Sequence, residues 1–450
     1  MSILTQHHRV LVGLVGLSLV LKLGAFASIW CIDPQRVVTG DTASYENPAR
    51  ALVATGRFAA GPDRADEPET LRTPGYPLFL AALYAPFGER RDLVVVVQVL
   101  LSSATVLLLY GLGTRLSTPR AALAAAGLLV LDPLSFVYSQ LLFSESLFTF
   151  VLLVAAWCAV AQLGGGPVWW SGLFGLSLAA ATLVRPIAYY LIVPSIVGFA
   201  LYGLTGLGWT RREVVTATLL LLLPWCILVE GWRVRNFRAT GSAAFSHIQA
   251  YNLLWYRGAG IVAIRDGVSF EEAQTRTAAA LPNMTGWSAT EVSARYASEG
   301  LRLIRDHPVP FLRNQLFGLG KIIAGPGRSD LEHYVAGVPY ATVAPEAVRL
   351  SRGWLTSGRA DDMASRLVIV YSVAYLVLLY SAAGWGLVAT RRRDAGWAGL
   401  FFLGGVGLYL LVMAAGPESY ARFRVPVTPV LALFAGRGLD AVYSTRRRAG

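Results

Sequence analysis

Charge is what this sequence has least of. Only 15% of its 450 residues are charged and 55% are hydrophobic, with a mean hydropathy of +0.52. A soluble domain carries about 25% charged residues. Depletion on this scale, together with several apolar runs of about 18 residues or more, excludes an ordinary soluble enzyme and predicts a polytopic membrane protein. Lysine is nearly missing: Lys22 and Lys321 are the only two, and every other base is arginine. The net charge of +12 is not gathered into a basic stripe on a soluble face, so nucleic acid is not an expected partner. Cysteine is scarce too. Cys31, Cys158 and Cys226 form no CxxC pair and lie in or beside apolar runs, which excludes a disulfide framework. The five histidines (His7, His8, His247, His307, His333) show no ligand spacing, so no structural metal site is expected. There is no internal repeat and no low-complexity tract.

What is present is a ladder of apolar segments. Ten spans fit, at 9–30, 92–110, 120–137, 143–161, 169–184, 187–205, 214–231, 366–389, 396–415 and 425–441. The first could be misread as a signal peptide cut after Ala25-Phe26-Ala27, but it is long for that role, and a retained helix is expected. Residues 78–87 are too short to cross and follow a Pro-Gly turn, so they should lie along the membrane surface or re-enter it. Short segments carrying Arg9, Arg115, Arg120, Arg211, Arg212, Arg391 to Arg393 and Arg446 to Arg448 fall on one side if the span number is even. By the positive-inside rule that side is the cytoplasm, with both termini there. The expected fold class is therefore all-α, a polytopic membrane bundle of about ten transmembrane helices, with juxtamembrane helices and a small helical lobe on the outer face. The expected division is an N-terminal transmembrane module 1–231 with a first outer loop 31–91, an extracytoplasmic lobe 232–365, and a C-terminal transmembrane module 366–450.

This orientation gathers the polar residues that membrane insertion alone does not explain. Gly40 to Pro77, the 142–145 turn, Arg185, the 232–365 segment and the 416–424 turn all face outward. Asp41 starts the first loop, and Tyr45, Ala49 and Leu52 follow at helical spacing. A carboxylate held at a membrane surface can act as general base for a hydroxyl; the plain alternative is a loop aspartate that caps a helix. Between Pro119-Arg120 and Arg185 the only charged residues are Asp132 and Glu145, and charge inside apolar sequence is expensive. Glu145 reads as functional or as a helix N-terminal acid, and both readings stand. Asp132, before Pro133, reads as the end of the third span. Arg185, Arg233, Arg235, Arg238, Arg422 and Arg424 are on the side where positive charge is unusual. As a set they suit a phosphate; singly, each is equally well a headgroup contact or the partner of Glu230 or Glu418.

The order of these motifs resembles C-type membrane glycosyltransferases, nearest to family 39 in its broad bacterial sense. That group includes the lipid A aminoarabinose transferase and relatives of protein O-mannosyltransferases. The likeness is carried by Asp41 with Tyr45, Gly56-Arg57-Phe58, Thr73-Pro74-Gly75-Tyr76-Pro77, Ser144-Glu145-Ser146, Val184-Arg185-Pro186, Arg235-Asn236, Tyr251-Asn252 and Tyr420-Ala421-Arg422-Phe423-Arg424, and runs from about residue 9 to 440. The resemblance implies an inverting transfer of a sugar from a polyprenyl-phosphate donor to an envelope lipid, glycan or protein acceptor, on the outer face of the cytoplasmic membrane. It implies Asp41 as base with Glu145 as a second catalytic acid, and Tyr45, Arg72, Tyr76, Arg185, Arg235, Asn236, Tyr251, Asn252, Tyr420, Arg422 and Arg424 as substrate-binding residues. Arg72 stands where aminoarabinose-type relatives place a lysine for the lipid phosphate. The first loop has one acid where many C-type enzymes have a pair, which weakens the expectation of a metal; no cofactor is expected and a divalent ion is left open. The competing readings are a transporter or flippase for a lipid-linked or anionic solute, a non-catalytic assembly protein, and a ligase or polymerase using a diphosphate-linked donor. Inverted repeats and midplane charge would mark a transporter, and neither is evident.

Overall fold

The computed structural model describes residues 3–338, 363–390 and 396–449. Arg391 to Arg393 and the end of the 232–365 segment lie outside the described residues. The described chain is helical, and its only β-pairing among the described residues is an isolated bridge between Ala59 and Pro68.

Apolar length decides which helices cross. Seven helical segments among the described residues are long and apolar enough: His7–Ile32, Arg91–Leu116, Glu145–Leu163, Pro186–Thr205, Arg211–Thr240, Arg366–Ala389 and Trp397–Ala414. They are contributed in order by α1 (Ile3–Ile32), α4 (Arg91–Leu116), α7 (Glu145–Leu163), α9 (Ile192–Thr205), α10 (Arg211–Trp225) with α11 (Gly231–Thr240), α18 (Met363–Ala389) and α19 (Trp397–Ala414). The protein is a multi-pass membrane protein.

Three expected spans take a different form. The segment 120–137 breaks into α5 (Pro119–Val130) and α6 (Pro133–Tyr138). The break is at Asp132, whose carboxylate accepts from the Ser135 amide at 3.0 Å and hydroxyl at 2.5 Å and so caps α6. Twelve residues rise only about 18 Å, well short of the ~30 Å hydrocarbon core. The segment 169–184 is a 16-residue helix, α8 (Trp169–Val184). The segment 425–441 begins later and runs further, as α20 (Thr428–Ala449). It packs tightly on α18, where Gly386 and Gly438 each meet the backbone of the facing helix with no room for a Cβ. Residues 78–87 fall within α3 (Gly75–Phe87), which buries Tyr76, Leu80, Ala81 and Tyr84 against its neighbours.

The first loop is ordered by its own charges. Helix α2 (Thr42–Thr55) ends at Gly56, which takes the left-handed backbone (φ 68°) that stops it. Glu46, buried on α2, accepts a two-pronged bond from Arg91 (2.8 and 2.6 Å), one from Tyr84 at 2.8 Å and one from Arg50 at 3.2 Å. That hub fixes α2 to α3 and α4. The loop is tied to the bundle by Leu142 N donating to Val37 O at 2.9 Å and by Thr73 Oγ1 donating to Val184 O at 3.1 Å. Gly75 lies so close to α8 that a Cβ there would sit 2.6 Å from the Val184 nitrogen.

Beyond Gly231 the chain forms a cluster of shorter helices. These are α11, α12 (Ile248–Asn252), α13 (Ala259–Asp266), α14 (Phe270–Ala279), α15 (Ala289–Asp306), α16 (Pro308–Ala324) and α17 (Arg328–Ala336). Ser288 and Glu291 close a capping box at the start of α15. A small core of Leu254, Ile261, Val262, Ala273 and Leu303 holds part of this cluster together.

Candidate functional site

Asp41 occupies the N-cap position of α2, but its side chain makes no capping bond. Its carboxylate turns instead to two guanidiniums. Arg72 Nη2 donates to Oδ1 at 2.9 Å and Arg422 Nη1 donates to Oδ2 at 3.1 Å. Burial alone would push this carboxyl up, but Arg422 and Arg72 outweigh it and hold it below the usual aspartate range. Asp41 keeps 33% of its side chain exposed while Arg72 and Arg422 keep 18% and 16%, so the pair of cations closes over an acid that still reaches solvent.

Each arginine is aimed by its surroundings. Glu69 Oε1 accepts from the Leu71 and Arg72 amides, the latter at 2.9 Å, and so fixes the turn before Pro74. Arg72 Nε donates to Ser44 Oγ at 2.9 Å and its guanidinium lies 4.5 Å from the Tyr45 ring centroid. Tyr76 is fully buried behind Tyr45, meets it edge-on, and donates its hydroxyl to Gln98 at 2.7 Å. It therefore supports the site without facing its open side. Arg422 sits among Phe143, Tyr420 and Phe423, at 5.1, 5.5 and 5.1 Å from their centroids.

A second ion pair stands alongside. Glu145, the first residue of α7 and 1% exposed, accepts from Arg185 through Oε1, while its Oε2 is buried with no partner among the described residues. The Arg185 guanidinium is 5.7 Å from the Phe423 centroid, so the Phe423 ring neighbours both cations. Sequence order suggested one cluster. The structure makes two ion-paired seats joined by an aromatic residue.

Other candidates are held elsewhere. Arg235 donates to the carbonyls of Glu69 (2.8 Å) and Phe58, pinning the first loop to α11. Asn236 is buried and donates to the carbonyls of Ala244 (2.9 Å) and Phe245 (3.2 Å). Arg424 is 1% exposed and donates to the carbonyls of Ile322, Ile323 and Gly325 at 2.6, 3.1 and 2.9 Å, closing the end of α16. Each of the three donates to backbone carbonyls, and Arg235 adds a bond to Asn236 Oδ1 at 3.0 Å. Tyr251, 40% exposed, and Asn252 lie at the end of α12, one turn before Tyr256. Both oxygens of Asp41 are taken up by guanidiniums, and among the described residues no three His, Cys, Asp or Glu side chains converge in a metal-holding group.

Sequence reasoning missed several parts. Ser44 and Glu69 aim Arg72, yet they look like ordinary loop residues, and only folding brings them to it. Lys321, Glu418 and Arg257 form a further, half-buried cluster: Arg257 Nε lies 3.4 Å from Glu418 Oε1 and Lys321 Nζ donates to Pro417 O at 2.8 Å. Burial pushes the Lys321 amine down to about 8 and the Glu418 carboxyl up. The rarity of lysine was a signal that Lys321 is special, and Glu418 was read as a possible arginine partner; no local pattern marks Arg257 as that partner.

Residues 66–232 match the family model described as dolichyl-phosphate-mannose-protein mannosyltransferase. No curated protein matches the chain in sequence. Among solved structures, the archaeal oligosaccharyltransferase AglB from Archaeoglobus fulgidus, in complex with an inhibitory peptide and a dolichol-phosphate, superposes with a TM-score of 0.56 at 12% identity. That match covers 100% of this chain and 52% of AglB. The apo form of the Archaeoglobus fulgidus oligosaccharyltransferase superposes with the same TM-score, 0.56, at 13% identity, over 98% of this chain and 51% of that one. This chain thus spans about half the length of the oligosaccharyltransferase. The likeness shows the fold, that of the C-type membrane glycosyltransferases, and with the family match it bears out the resemblance carried by the motifs.

Proposed function

We propose that this protein transfers a sugar from a polyprenyl-phosphate donor to a hydroxyl-bearing acceptor at the outer face of the cytoplasmic membrane. The observation that carries the reading is the Asp41 carboxylate held between Arg72 and Arg422 at the end of a membrane bundle. The family and fold likenesses support a glycosyltransferase, and a lipid-phosphate donor suits the two guanidiniums.

The chemistry needs a base for the incoming hydroxyl and cations for the departing phosphate. Without substrate, Arg72 and Arg422 are spent on Asp41. A donor phosphate brings oxygens that compete for the same N–H groups, and guanidiniums pair with phosphate in the same forked geometry as with carboxylate. Its negative charge also cancels the field that holds the Asp41 carboxyl low, so Asp41 becomes a better base as the donor seats. The acceptor oxygen then bonds to the sugar anomeric carbon and its proton passes to Asp41. The bond between that carbon and the phosphate oxygen breaks, and the lipid phosphate leaves with the electron pair, held by Arg72 and Arg422. Attack in line with the leaving group inverts the anomeric centre. Glu145 and Arg185, across Phe423, are placed to hold the sugar or the acceptor.

The test is Asp41→Asn. Amide replacement keeps shape and removes the proton acceptor, so transfer in a membrane assay should fall by at least about a thousandfold, in line with loss of a principal acid–base group. Expression and membrane insertion should be unchanged. Full activity of a well-inserted variant would remove Asp41 from the chemistry.

A further inference from the structure

Helix α16 (Pro308–Ala324) has one packed side and one open side among the described residues. Val309, Leu312, Leu316 and Ile323 lie exposed along a single face, at spacings of three, four and seven, with Gly320 between the last two. On the opposite face Gly318 rests on Gly416 with no room for a Cβ, Ile322 is fully buried, and Lys321 donates to Pro417 O at 2.8 Å. The packed side therefore supports the turn that carries Arg422, and the apolar side points away from it.

Depth says what lies against the apolar side. Tyr380 of α18 donates to the Ile323 carbonyl at 2.6 Å. It stands about 21 Å along the helix from Arg366, where the span begins, and a tyrosine side chain bridges only a fraction of that distance. The end of α16 thus lies inside the bundle, at a level where α18 exposes Val370 and Val377. The way α16 stops agrees. Arg424 Nη1 donates to the carbonyls of Ile322, Ile323 and Gly325, and Tyr380 shares that of Ile323. A helix that ends in water leaves its last carbonyls to solvent, whereas one that ends in hydrocarbon needs protein donors for them. Charge follows the same rule. Between Arg313 and Arg328 the only charged residue is Lys321, which is turned inward. Arg313 lies over the Phe317 ring at 5.4 Å, about 15 Å back along the helix from Ile323, where a guanidinium reaches headgroups.

We propose that α16 is a re-entrant helix, which descends from the lobe into the leaflet on the site side and has bilayer acyl chains against Leu316, Gly320 and Ile323. Its 17 residues rise about 25 Å, too little to cross the ~30 Å hydrocarbon core. The chain turns back at Gly325-Pro326-Gly327, and Val335 O then accepts from Arg36 of the first loop at 2.8 Å. The lipid-covered face continues that of α18. The proposal stands whether or not the Asp41 seat takes a donor, and its consequence is that the Arg422 turn is supported from within the membrane.

The experiment uses the full chain, its native cysteines replaced by alanine, in phosphatidylcholine nanodiscs. A nitroxide is attached to one cysteine at a time: Val309→Cys, Leu316→Cys, Gly320→Cys and Ile323→Cys. Ser298→Cys on α15 serves as the aqueous reference and Val377→Cys on α18 as the membrane reference. Collisions with oxygen, which concentrates in hydrocarbon, are compared with collisions with a water-soluble nickel chelate. The oxygen-to-nickel ratio should rise in order from 309 to 323, starting near the Ser298 value and approaching the Val377 value. One intermediate ratio shared by all four positions would mean that α16 lies flat on the membrane. Four ratios at the Ser298 value would place it in water, and few collisions with either reagent would mean that protein covers the face. Each of these three results overturns the proposal. All four positions are exposed, so thermal midpoints should match that of the cysteine-free parent, and the order of ratios is read from variants that meet this.

Discussion

At the scale of single residues, the informative side chain is Asp41, because its environment sets how it titrates. Its carboxyl is depressed below the usual range by Arg422 and Arg72 acting against burial. A depressed carboxyl stays ionised, and its contribution to the folded state is lost only as the pH falls through its folded-state value. The acid limb of kcat/KM, which reports the free protein, should therefore lie below about pH 4, the ordinary aspartate value. Arg422→Met removes one of the two opposing cations and leaves burial in place. Its acid limb should move upward, and a pH–rate profile of the variant measures the shift. A limb that stays fixed would mean that Arg422 does not govern Asp41. None of this balance is visible in the order of residues. It placed Asp41, Arg72 and Arg422 on one side of a membrane, but they are separated by 31 and 381 positions from Asp41, and only the folded loop brings them within hydrogen-bond distance.

At the scale of elements, the same residue type serves opposite purposes two positions apart. Arg422 points into the site, and Arg424 points back to three carbonyls at the end of α16. The alternation follows from the 3-10 turn Ala421–Arg424, in which neighbouring side chains cannot share a direction. Removing Arg424 strands buried carbonyls, and each unsatisfied group costs about 1–3 kcal/mol. Arg424→Met should lower the thermal midpoint by several degrees in detergent, while Arg422→Met, with its partner part-exposed, should leave it nearly unchanged. Equal midpoints for the two variants would refute the division of labour. Element identity was legible in the sequence at the long apolar runs that fold as α1, α4 and α7. Length was the poorer guide. The run 120–137 is apolar enough to look like a span, and its capping aspartate had to be seen in place before the short α5 could be distinguished from a crossing helix.

At the scale of the whole molecule, the bundle has a site end and an opposite end. Helix α4 shows the distance between them: Arg91 at its start holds Glu46 of the first loop, and Arg115 near its finish is about 36 Å away along the helix. The orientation read from arginine positions can be tested with thiols at exposed positions. In a chain whose native cysteines are replaced by alanine, Ala43→Cys on α2 and Ser298→Cys on α15 should both react with an impermeant maleimide added to intact cells. Ser444→Cys on α20 should react only after permeabilisation. Any other pairing would separate the loop from the lobe or invert the protein. The bundle was readable because insertion in a membrane imposes simple rules on apolar length, while its sidedness is an expectation from basic charge that the maleimide labelling decides. The site was readable only as a set of residues sharing a face, since its contacts depend on packing that those rules do not address.

One contact holds a consequence for how such a site can change over time. Gly75 rests directly on the backbone of Leu183 and Val184, with Thr73 bonded to the Val184 carbonyl, so the turn carrying Arg72 and the turn carrying Arg185 touch without a side chain between them. The two cations are thereby geared together. Any residue larger than glycine at 75 would wedge both arms apart at once, displacing charges three and 110 positions away in sequence. A position with no functional group is therefore constrained as firmly as the arginines, and variants that tune one seat alone must arise elsewhere, on the far sides of Arg72 and Arg185.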